Sequence, residues 1–186
     1  MSKLKQLLYS DLARQYELEG RLDATPTFLG LLCRLLHPRF LPIVLCRGSR
    51  WSLQLRIPIL PKLLTYLNIL LFGLEVSPRT EIGPGLFFPH TYGTVVGANC
   101  IGSYATIFQG VTLGAKALDM NFDPSLRPKI GNNVLLGSGS KILGGISIGD
   151  NVTVGANSVV IESVSPDTTV VGIPAREIVS ATRGTR

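Results

Sequence analysis

The sequence has few of the residue types that form disulfide bonds and metal centres. Three cysteines occur among 186 residues, none in a C-x-x-C spacing, and there are only two histidines. These counts exclude a disulfide scaffold, a zinc ribbon and a histidine-rich metal centre, so we expect no bound metal. Charged residues make up only 16% of the chain against 45% hydrophobic ones, a balance that excludes an intrinsically disordered protein.

Long uninterrupted apolar runs are also missing. The run over 28–46 contains Arg34, and the run over 57–74 contains two prolines and Lys62. A membrane-spanning helix needs about 20 consecutive apolar residues, so neither run is expected to span a bilayer. The N-terminus does not follow the pattern of a signal peptide. These features predict a cytoplasmic protein.

Charge and glycine divide the chain into two blocks. Residues 1–75 hold ten Lys/Arg against five Asp/Glu but only four of the 20 glycines. Apolar spacing predicts a helical segment over 1–74, with helices over 4–20, 25–36 and 61–73, the second capped by Thr25. We expect these helices to pack on each other or on a second subunit. The alternative is peripheral contact with the anionic inner face of a membrane. No nucleic-acid-binding motif accompanies the basic residues, so no nucleic-acid partner is expected.

The second block is a repeat. Isoleucine, leucine or valine occupies twelve of thirteen positions that are mostly six residues apart. These positions are Val76, Ile82, Phe88, Val95, Ile101, Ile107, Leu113, Ile130, Leu136, Ile142, Ile148, Val154 and Val160. A six-residue period fits neither an α-helix nor an ordinary strand, and it is typical of a parallel β-helix. We therefore predict a mainly β fold over 75–179, preceded by the helical segment and followed by a flexible tail over 180–186.

Two interruptions of this period point to function. The polar stretch 115–129 exceeds one repeat step by eleven residues, and insertions in repeat proteins project as loops on the binding face. The segment PHTYG, 89–93, holds His90, the one histidine of the repeat region, beside a one-residue slip in the period. A lone histidine is more often structural than catalytic, and we assign a structural role to His37 in the helical block.

Four segments resemble the serine acetyltransferase branch of the hexapeptide-repeat, left-handed β-helix acyltransferases. They are EVSPRTEIGPGLFFPHTYGTVVG, IFQGVTLG, RPKIGNNVLLGSGSKILGGISIGDNVTVGANSVV and VVGIPAR. The resemblance covers nearly all of 75–179, and more weakly the end of the family's helical domain. It implies transfer of acetyl from acetyl-CoA to a hydroxyl, with acetyl-CoA as co-substrate.

The resemblance also implies roles for particular residues. His90 falls on the catalytic histidine, a side chain suited to proton transfer near neutral pH, and Glu75 on the aspartate that orients it. The acetyl-CoA groove falls on Gly114, Ala115, Ser138, Lys141, Ala156 and Arg176, with Lys129 as a further candidate for the CoA phosphates. The acceptor site falls on Arg127, Asp23 and Tyr92.

Departures from the family pattern concern the acceptor. Pro89 replaces an aspartate that helps to hold serine, and Arg127 replaces a second active-site histidine. These changes favour a sugar hydroxyl in bacterial polysaccharide assembly, as in shorter acetyltransferases that resemble this chain. The alternatives are serine O-acetyltransferase of cysteine biosynthesis and a catalytically silent solenoid scaffold. The resemblance further implies a homotrimer, with a dimer of trimers as the larger alternative.

Overall fold

The computed structural model describes residues 3–35 and 37–178, so the tail predicted over 180–186 lies outside the described residues. Four helices come first: Lys3–Leu18 (α1), Phe28–Arg34 (α2), Leu41–Gln54 (α3) and Leu60–Phe72 (α4). Gly73 ends α4 in the left-handed conformation, with φ at 59°, as the glycine predicted to stop this helix allows. No helix within the described residues is long and apolar enough to cross a membrane.

The start of the second helix differs from the prediction. The second helix begins at Phe28, and its cap is Thr27, whose hydroxyl accepts the N–H of Gly30 at 3.0 Å. Thr25 was therefore the wrong cap: two threonines flank Pro26, and the second one directly precedes the first helical residue. Pro42 lies in the first turn of α3, where its missing N–H costs no hydrogen bond.

Fourteen short strands follow the helices. They are Leu74–Val76 (β1), Glu81–Ile82 (β2), Thr94–Val96 (β3), Cys100–Ile101 (β4), Thr106–Ile107 (β5), Thr112–Gly114 (β6), Lys129–Ile130 (β7), Leu135–Leu136 (β8), Lys141–Leu143 (β9), Ser147–Ile148 (β10), Thr153–Val154 (β11), Val159–Val160 (β12), Thr169–Gly172 (β13) and Ala175–Glu177 (β14).

The strands form three sheets that enclose one core. Sheet A has the order β1-β3-β6-β9-β12, sheet B the order β2-β4-β7-β10, and sheet C the order β5-β8-β11-β13-β14. Every pairing is parallel except that of β13 with β14. From β3 to β12 successive strands visit A, B and C in turn, so each circuit of the chain adds one coil to a parallel β-helix. In the first and last circuits, single bridges at Phe87 and Val164 stand where a strand of sheet C or sheet B would be. The predicted fold is confirmed.

The repeat anchors fill the interior, with one exception. Val95 is 37% exposed, whereas Val96 is 1% exposed and pairs in register with Val76 and Leu113. The predicted anchor at Val95 is therefore wrong. Side chains alternate between the two faces of a strand, and the turn over 89–93 makes the step from Phe88 eight residues long, which brings Val96 inward.

Asparagines build one of the corners between sheets. Asn133 and Asn151 adopt left-handed φ angles of 54° and 59°, which asparagine tolerates better than most residues. The Asn133 amide donates to Asn151 Oδ1 at 3.1 Å, and the Asn151 amide donates to Asp167 Oδ1 at 2.8 Å. This ladder links three successive coils at their outer edge.

A buried ion pair joins the helices to the first coil. Arg47 of α3 donates from Nε and Nη2 to the two carboxylate oxygens of Asp11 in α1, both at 2.9 Å. Arg47 also donates to the carbonyls of Ile82 and Gly83, and Asp11 accepts the N–H of Leu86 at 2.9 Å. Burial raises the pKa of Asp11, and Arg47 opposes that shift. The pair thus binds two helices and the coil backbone at one point.

Replacing Asp11 by Asn should destabilise the whole chain. Removing one partner of a buried pair leaves the other charge uncompensated, which costs about 3–5 kcal/mol. Urea unfolding monitored by circular dichroism measures the free energy of unfolding. The control is Glu17→Ala on the same helix, whose ion pair with Arg14 is more exposed and contributes at most about 1 kcal/mol. Equal losses in the two variants would contradict the role of the buried pair.

Candidate active site

His90 lies in a cleft between the helices and the first two coils. The cleft has a volume of about 660 Å³. Its walls are Pro38, Arg39, Leu71, Phe72, Phe88, Pro89, His90, Thr91, Tyr92 and Gln109. His90 is exposed and makes no hydrogen bond to another described residue. Its imidazole is therefore available to a small molecule in the cleft.

The end of α4 holds the turn that carries His90. Thr91 donates from its hydroxyl to the carbonyl of Phe72 at 2.9 Å, and the Gly93 N–H donates to the Gly73 carbonyl at 2.9 Å. The Tyr92 ring lies so close to Gly73 that a Cβ there would approach it to 2.7 Å. Gly73 thus both ends the helix and leaves room for Tyr92, which lines the cleft. The acceptor role of Tyr92 stays a prediction.

Glu75 and His90 come from the same coil but are not joined in this structure. Glu75 is the central residue of β1, and its exposed side chain points outward from sheet A. Neither side chain forms a hydrogen bond or ion pair within the part of the chain that the structure describes. The predicted orienting contact is thus absent from the free chain, and hydrogen bonds in empty active sites often tighten only when substrate binds.

A row of turns leads away from the cleft along the corner between sheets C and A. Backbone hydrogen bonds connect the turns coil by coil: Gly110 N–H to Tyr92 O at 3.1 Å, Gly139 N–H to Gln109 O at 2.8 Å, and Asn157 N–H to Ser138 O at 2.8 Å. Ala156 immediately precedes Asn157. Two predicted acetyl-CoA residues, Ser138 and Ala156, therefore follow Gln109 in successive coils.

The other predicted acetyl-CoA residues are spread more widely. Gly114 ends β6 at the far edge of sheet A, and Ala115 begins the loop there. Lys141 points outward from sheet A but donates to the Gly110 carbonyl at the near corner. Arg176 is exposed and pairs with Glu162 at 3.7 Å, and Lys129 is exposed on β7. The structure thus distributes these residues over all three sheets and does not gather them in one cleft.

Arg127 holds the loop over 115–128 in place. It donates to Asp119 Oδ2 from Nη2 at 2.7 Å and from Nε at 3.0 Å, and to the Gly97 carbonyl from Nη1 at 3.0 Å. Its guanidinium also lies 4.0 Å from the centroid of the Phe122 ring. Each of the three Arg127 nitrogens therefore already has a partner in this chain, although one N–H of Nη1 is unused, and its substrate role stays a prediction.

Two further predictions concern the helical block. Asp23 is exposed and does not line the His90 cleft, so the spacing that suggested an acceptor role brings it to a different surface. His37 also lies outside the cleft lining, and its Nδ1 accepts the N–H of Arg39 at 3.3 Å. Burial and then Arg34 lower the pKa of His37, which favours the neutral imidazole that this contact needs.

Sequence reasoning missed two residues of the cleft. Arg39 belongs to the turn before α3, fifty-one residues ahead of His90, and Gln109 belongs to the second coil. The Gln109 amide oxygen is buried and accepts no hydrogen bond within the described residues. Only the folded arrangement brings these segments together, so no local pattern pointed to either. Among the described residues no group of three or more His, Cys, Asp and Glu side chains is placed to hold a metal ion.

The fold and this cleft define a class of protein, the left-handed β-helix of hexapeptide-repeat transferases. A family profile described as Bacterial transferase hexapeptide (six repeats) matches residues 127–162. A serine acetyltransferase of Synechococcus elongatus is 44% identical over 150 residues, which are 80% of this chain and 60% of that relative. The chain therefore spans less than two thirds of that relative's length.

Solved structures give the same result over most of the chain. A soybean serine acetyltransferase complexed with serine has a TM-score of 0.80 and 32% identity, covering 94% of this chain and 69% of that one. A serine acetyltransferase in complex with CoA has a TM-score of 0.79 and 28% identity, with coverages of 94% and 69%. The chain belongs to the hexapeptide-repeat acyltransferases, in the serine acetyltransferase-like branch.

The ion pair of Asp119 with Arg127, here called the loop clamp because it holds the loop over 115–128, should weaken in acid. Burial opposes ionisation of Asp119, but hydrogen bonds from Arg127 and from the N–H groups of Asp123 and Asn121 outweigh it and lower its pKa. A carboxyl with a lowered folded-state pKa stabilises the fold above its ordinary pKa near 4, and this contribution is lost as the pH falls through the folded-state pKa.

We therefore expect amide exchange over 116–127, corrected for its intrinsic pH dependence, to accelerate as the pH falls from 6 to 3. Asp119→Asn should already show the fast exchange at pH 6 and should respond little to acid. Exchange that is slow and equal in both proteins across this range would contradict the clamp.

Proposed function

We propose that the protein transfers an acetyl group from acetyl-CoA to the hydroxyl of a small acceptor, with His90 as general base. The observation that carries this proposal is the unpartnered imidazole of His90 in an open cleft at the head of the C/A corner. A hydroxyl is a weak nucleophile near neutral pH and needs a base to remove its proton as it attacks.

In this mechanism His90 accepts the proton of the acceptor hydroxyl while the oxygen attacks the thioester carbonyl carbon. The tetrahedral intermediate then collapses with cleavage of the carbon–sulfur bond. The imidazolium returns its proton to the departing CoA sulfur, so the enzyme ends in its starting state. Because a single group takes and returns the proton, one histidine suffices for both half-steps.

The C/A corner supplies the path for acetyl-CoA. Ser138 and Ala156 follow the cleft in successive coils, and main-chain groups of such turns suit the amide-bearing pantetheine arm. Lys141 and Arg176 lie on outer surfaces of these later coils and would meet the CoA phosphates, in each case after leaving the partner that they have in this chain. Gly114 and Ala115 border the opposite edge of sheet A, beside the loop.

Serine is the acceptor that the relatives favour. The proteins similar to this chain are serine acetyltransferases, and one of the solved structures is complexed with serine. The relatives reported above do not support the sugar acceptor expected from the sequence. One observation in the structure favours it. Pro89 lines the cleft with no polar side-chain group for an amino acid's ammonium, and the described cleft residues include no carboxylate.

A homotrimer is the proposed assembly. Four apolar side chains on the outer surfaces of the coils are 36–37% exposed, Val95, Leu135, Ile161 and Val171, and a three-fold ring would cover such surfaces. The helices carry a second exposed stripe at helical spacing, formed by Ile59, Leu63, Tyr66 and Leu70. A second trimer or an anionic membrane surface would cover that stripe.

Replacing His90 by Ala should lower turnover by about 10²–10⁴-fold while acetyl-CoA still binds, since a general base contributes on this scale and the corner path lies in other coils. A thiol-release assay with serine and a panel of sugars measures the rate, and calorimetry measures acetyl-CoA binding. The control is Asp167→Asn, a substitution far from the cleft whose side-chain oxygen can still accept the hydrogen bond from Asn151. Near-normal turnover by the His90 variant would refute the mechanism, and no turnover by the wild-type protein with any hydroxyl would favour the scaffold.

Replacing Glu75 by Gln tests the orienting role. If the carboxylate meets His90 once substrate is bound, losing a charge-assisted hydrogen bond should lower kcat by about 10- to 100-fold. Glu81→Gln, at an exposed position on β2, removes an equal charge from another sheet and should leave kcat unchanged. Equal kcat values in both variants would exclude Glu75 from the reaction.

A further inference from the structure

The cleft contains a cation that the reaction as described does not use. Arg39 is exposed and lines the same cleft as His90, Pro89 and Tyr92. Its side chain forms no ion pair or hydrogen bond within the described residues. Most other arginines of the helical block are engaged, such as Arg34 with Glu19 and Arg47 with Asp11.

A hydrogen bond holds the backbone of Arg39, although its guanidinium has no partner among the described residues. Its carbonyl accepts a hydrogen bond from the side-chain amide of Gln15 at 2.8 Å, and Gln15 is 2% exposed in the last turn of α1. Phe40, the next residue, is fully buried. The turn before α3 therefore holds the arginine at the rim of the cleft, and a ligand needs to order only its side chain.

Arg39 gives the cleft a positive charge, and the described residues that line it include no acidic one to offset that charge. Its remaining walls are mostly apolar, and its polar groups other than His90 are Thr91, Tyr92 and Gln109. The hydroxyl of Thr91 is used by the Phe72 carbonyl. A guanidinium presents a planar fork of donors that matches a carboxylate with two parallel hydrogen bonds.

We propose that Arg39 binds a carboxylate of the acceptor and so determines which hydroxyl compounds are acetylated. This inference rests on the proposed function. It assigns the acceptor to the carboxylate-bearing class, which includes an amino acid such as serine and an acidic sugar. The buried Gln109 amide oxygen, which has no hydrogen-bond donor among the described residues, then accepts a hydrogen bond from the acceptor's amine or from a second hydroxyl.

This assignment also accounts for the state of Arg127. That residue was expected to serve the acceptor, but Asp119, Gly97 and Phe122 occupy its guanidinium. Arg39 is a cation of the helical block, and its guanidinium has no such partners among the described residues. The proposal thus places the anion-binding group in the helical block, at Arg39, and not in the loop of the β-helix, at Arg127.

Pairs of acceptors that differ only in the carboxylate test the proposal. The probes are serine against serinamide, and glucuronate against glucose, each with acetyl-CoA. The wild-type protein should use the acidic member of the productive pair with a KM roughly 10- to 100-fold lower, the scale of one charge-assisted interaction. Arg39→Ala should remove that preference while kcat for the neutral member stays within about threefold.

Lys62→Ala is the matched control, because it removes one exposed positive charge from α4 without touching the cleft lining. It should keep the wild-type preference. A preference retained in Arg39→Ala, or a weaker KM for acetyl-CoA with the acceptor preference unchanged, would overturn the proposal. The second result would mean that Arg39 meets a CoA phosphate instead.

Equilibrium binding separates this inference from the proposed function. Serine and glucuronate are titrated into the protein without acetyl-CoA, and NMR or calorimetry gives the dissociation constants. The carboxylate site is supported if the dissociation constant of the tighter ligand rises tenfold or more in Arg39→Ala but not in Lys62→Ala. This holds even if no acceptor is turned over. Equal dissociation constants in the wild-type protein and Arg39→Ala overturn it, whatever the enzyme's activity.

Discussion

The union of the helices with the first coil is the constraint on which the rest of the structure depends. A parallel β-helix ends in a coil whose backbone groups have no further coil to bind, and solenoids need a cap at that point. Arg47 meets the carbonyls of Ile82 and Gly83, and Asp11 meets the N–H of Leu86. Because each charge also neutralises the other, the cap satisfies the coil without leaving an isolated charge in the core. The same union sets α4 beside the turn that carries His90.

The β-helix was predictable because its signal is local and repeated. Each anchor is buried for the same reason as the anchor one coil away, so the six-residue period in the sequence reports burial directly. The error at Val95 shows the limit of this reasoning. Val95 and Val96 are equally apolar, and the choice between them depends on the length of the turn over 89–93 and on pairing with Val76. Helix ends had the same difficulty at Thr25 and Thr27, where two caps of equal chemistry compete.

The site was predictable only in part, for a related reason. His90 interrupts the period and carries a family resemblance, so it could be found without a structure. Arg39, Gln109 and the contact of Asp119 with Arg127 depend on which segments meet in space. Arg127 illustrates this best: its sequence position suggested a ligand-binding cation, whereas its hydrogen bonds show a residue that fixes the loop to Gly97. A charged residue's neighbours in the fold, which the sequence does not list, decide whether it can bind a substrate.

The cleft joins these two levels of organisation. His90 comes from the first coil, Gln109 from the second coil, and Arg39 from the turn before α3. The cleft is therefore complete only when the helices are packed against the β-helix. A β-helix alone offers repetitive turns that suit a long, extended molecule such as the pantetheine arm, because each coil presents the same backbone groups as the last. Such repetition cannot distinguish one small acceptor from another. Under the proposed assignment, discrimination between acceptors therefore resides in the helical block, which does not repeat. The buried pair between Asp11 and Arg47 holds that block against the first coil.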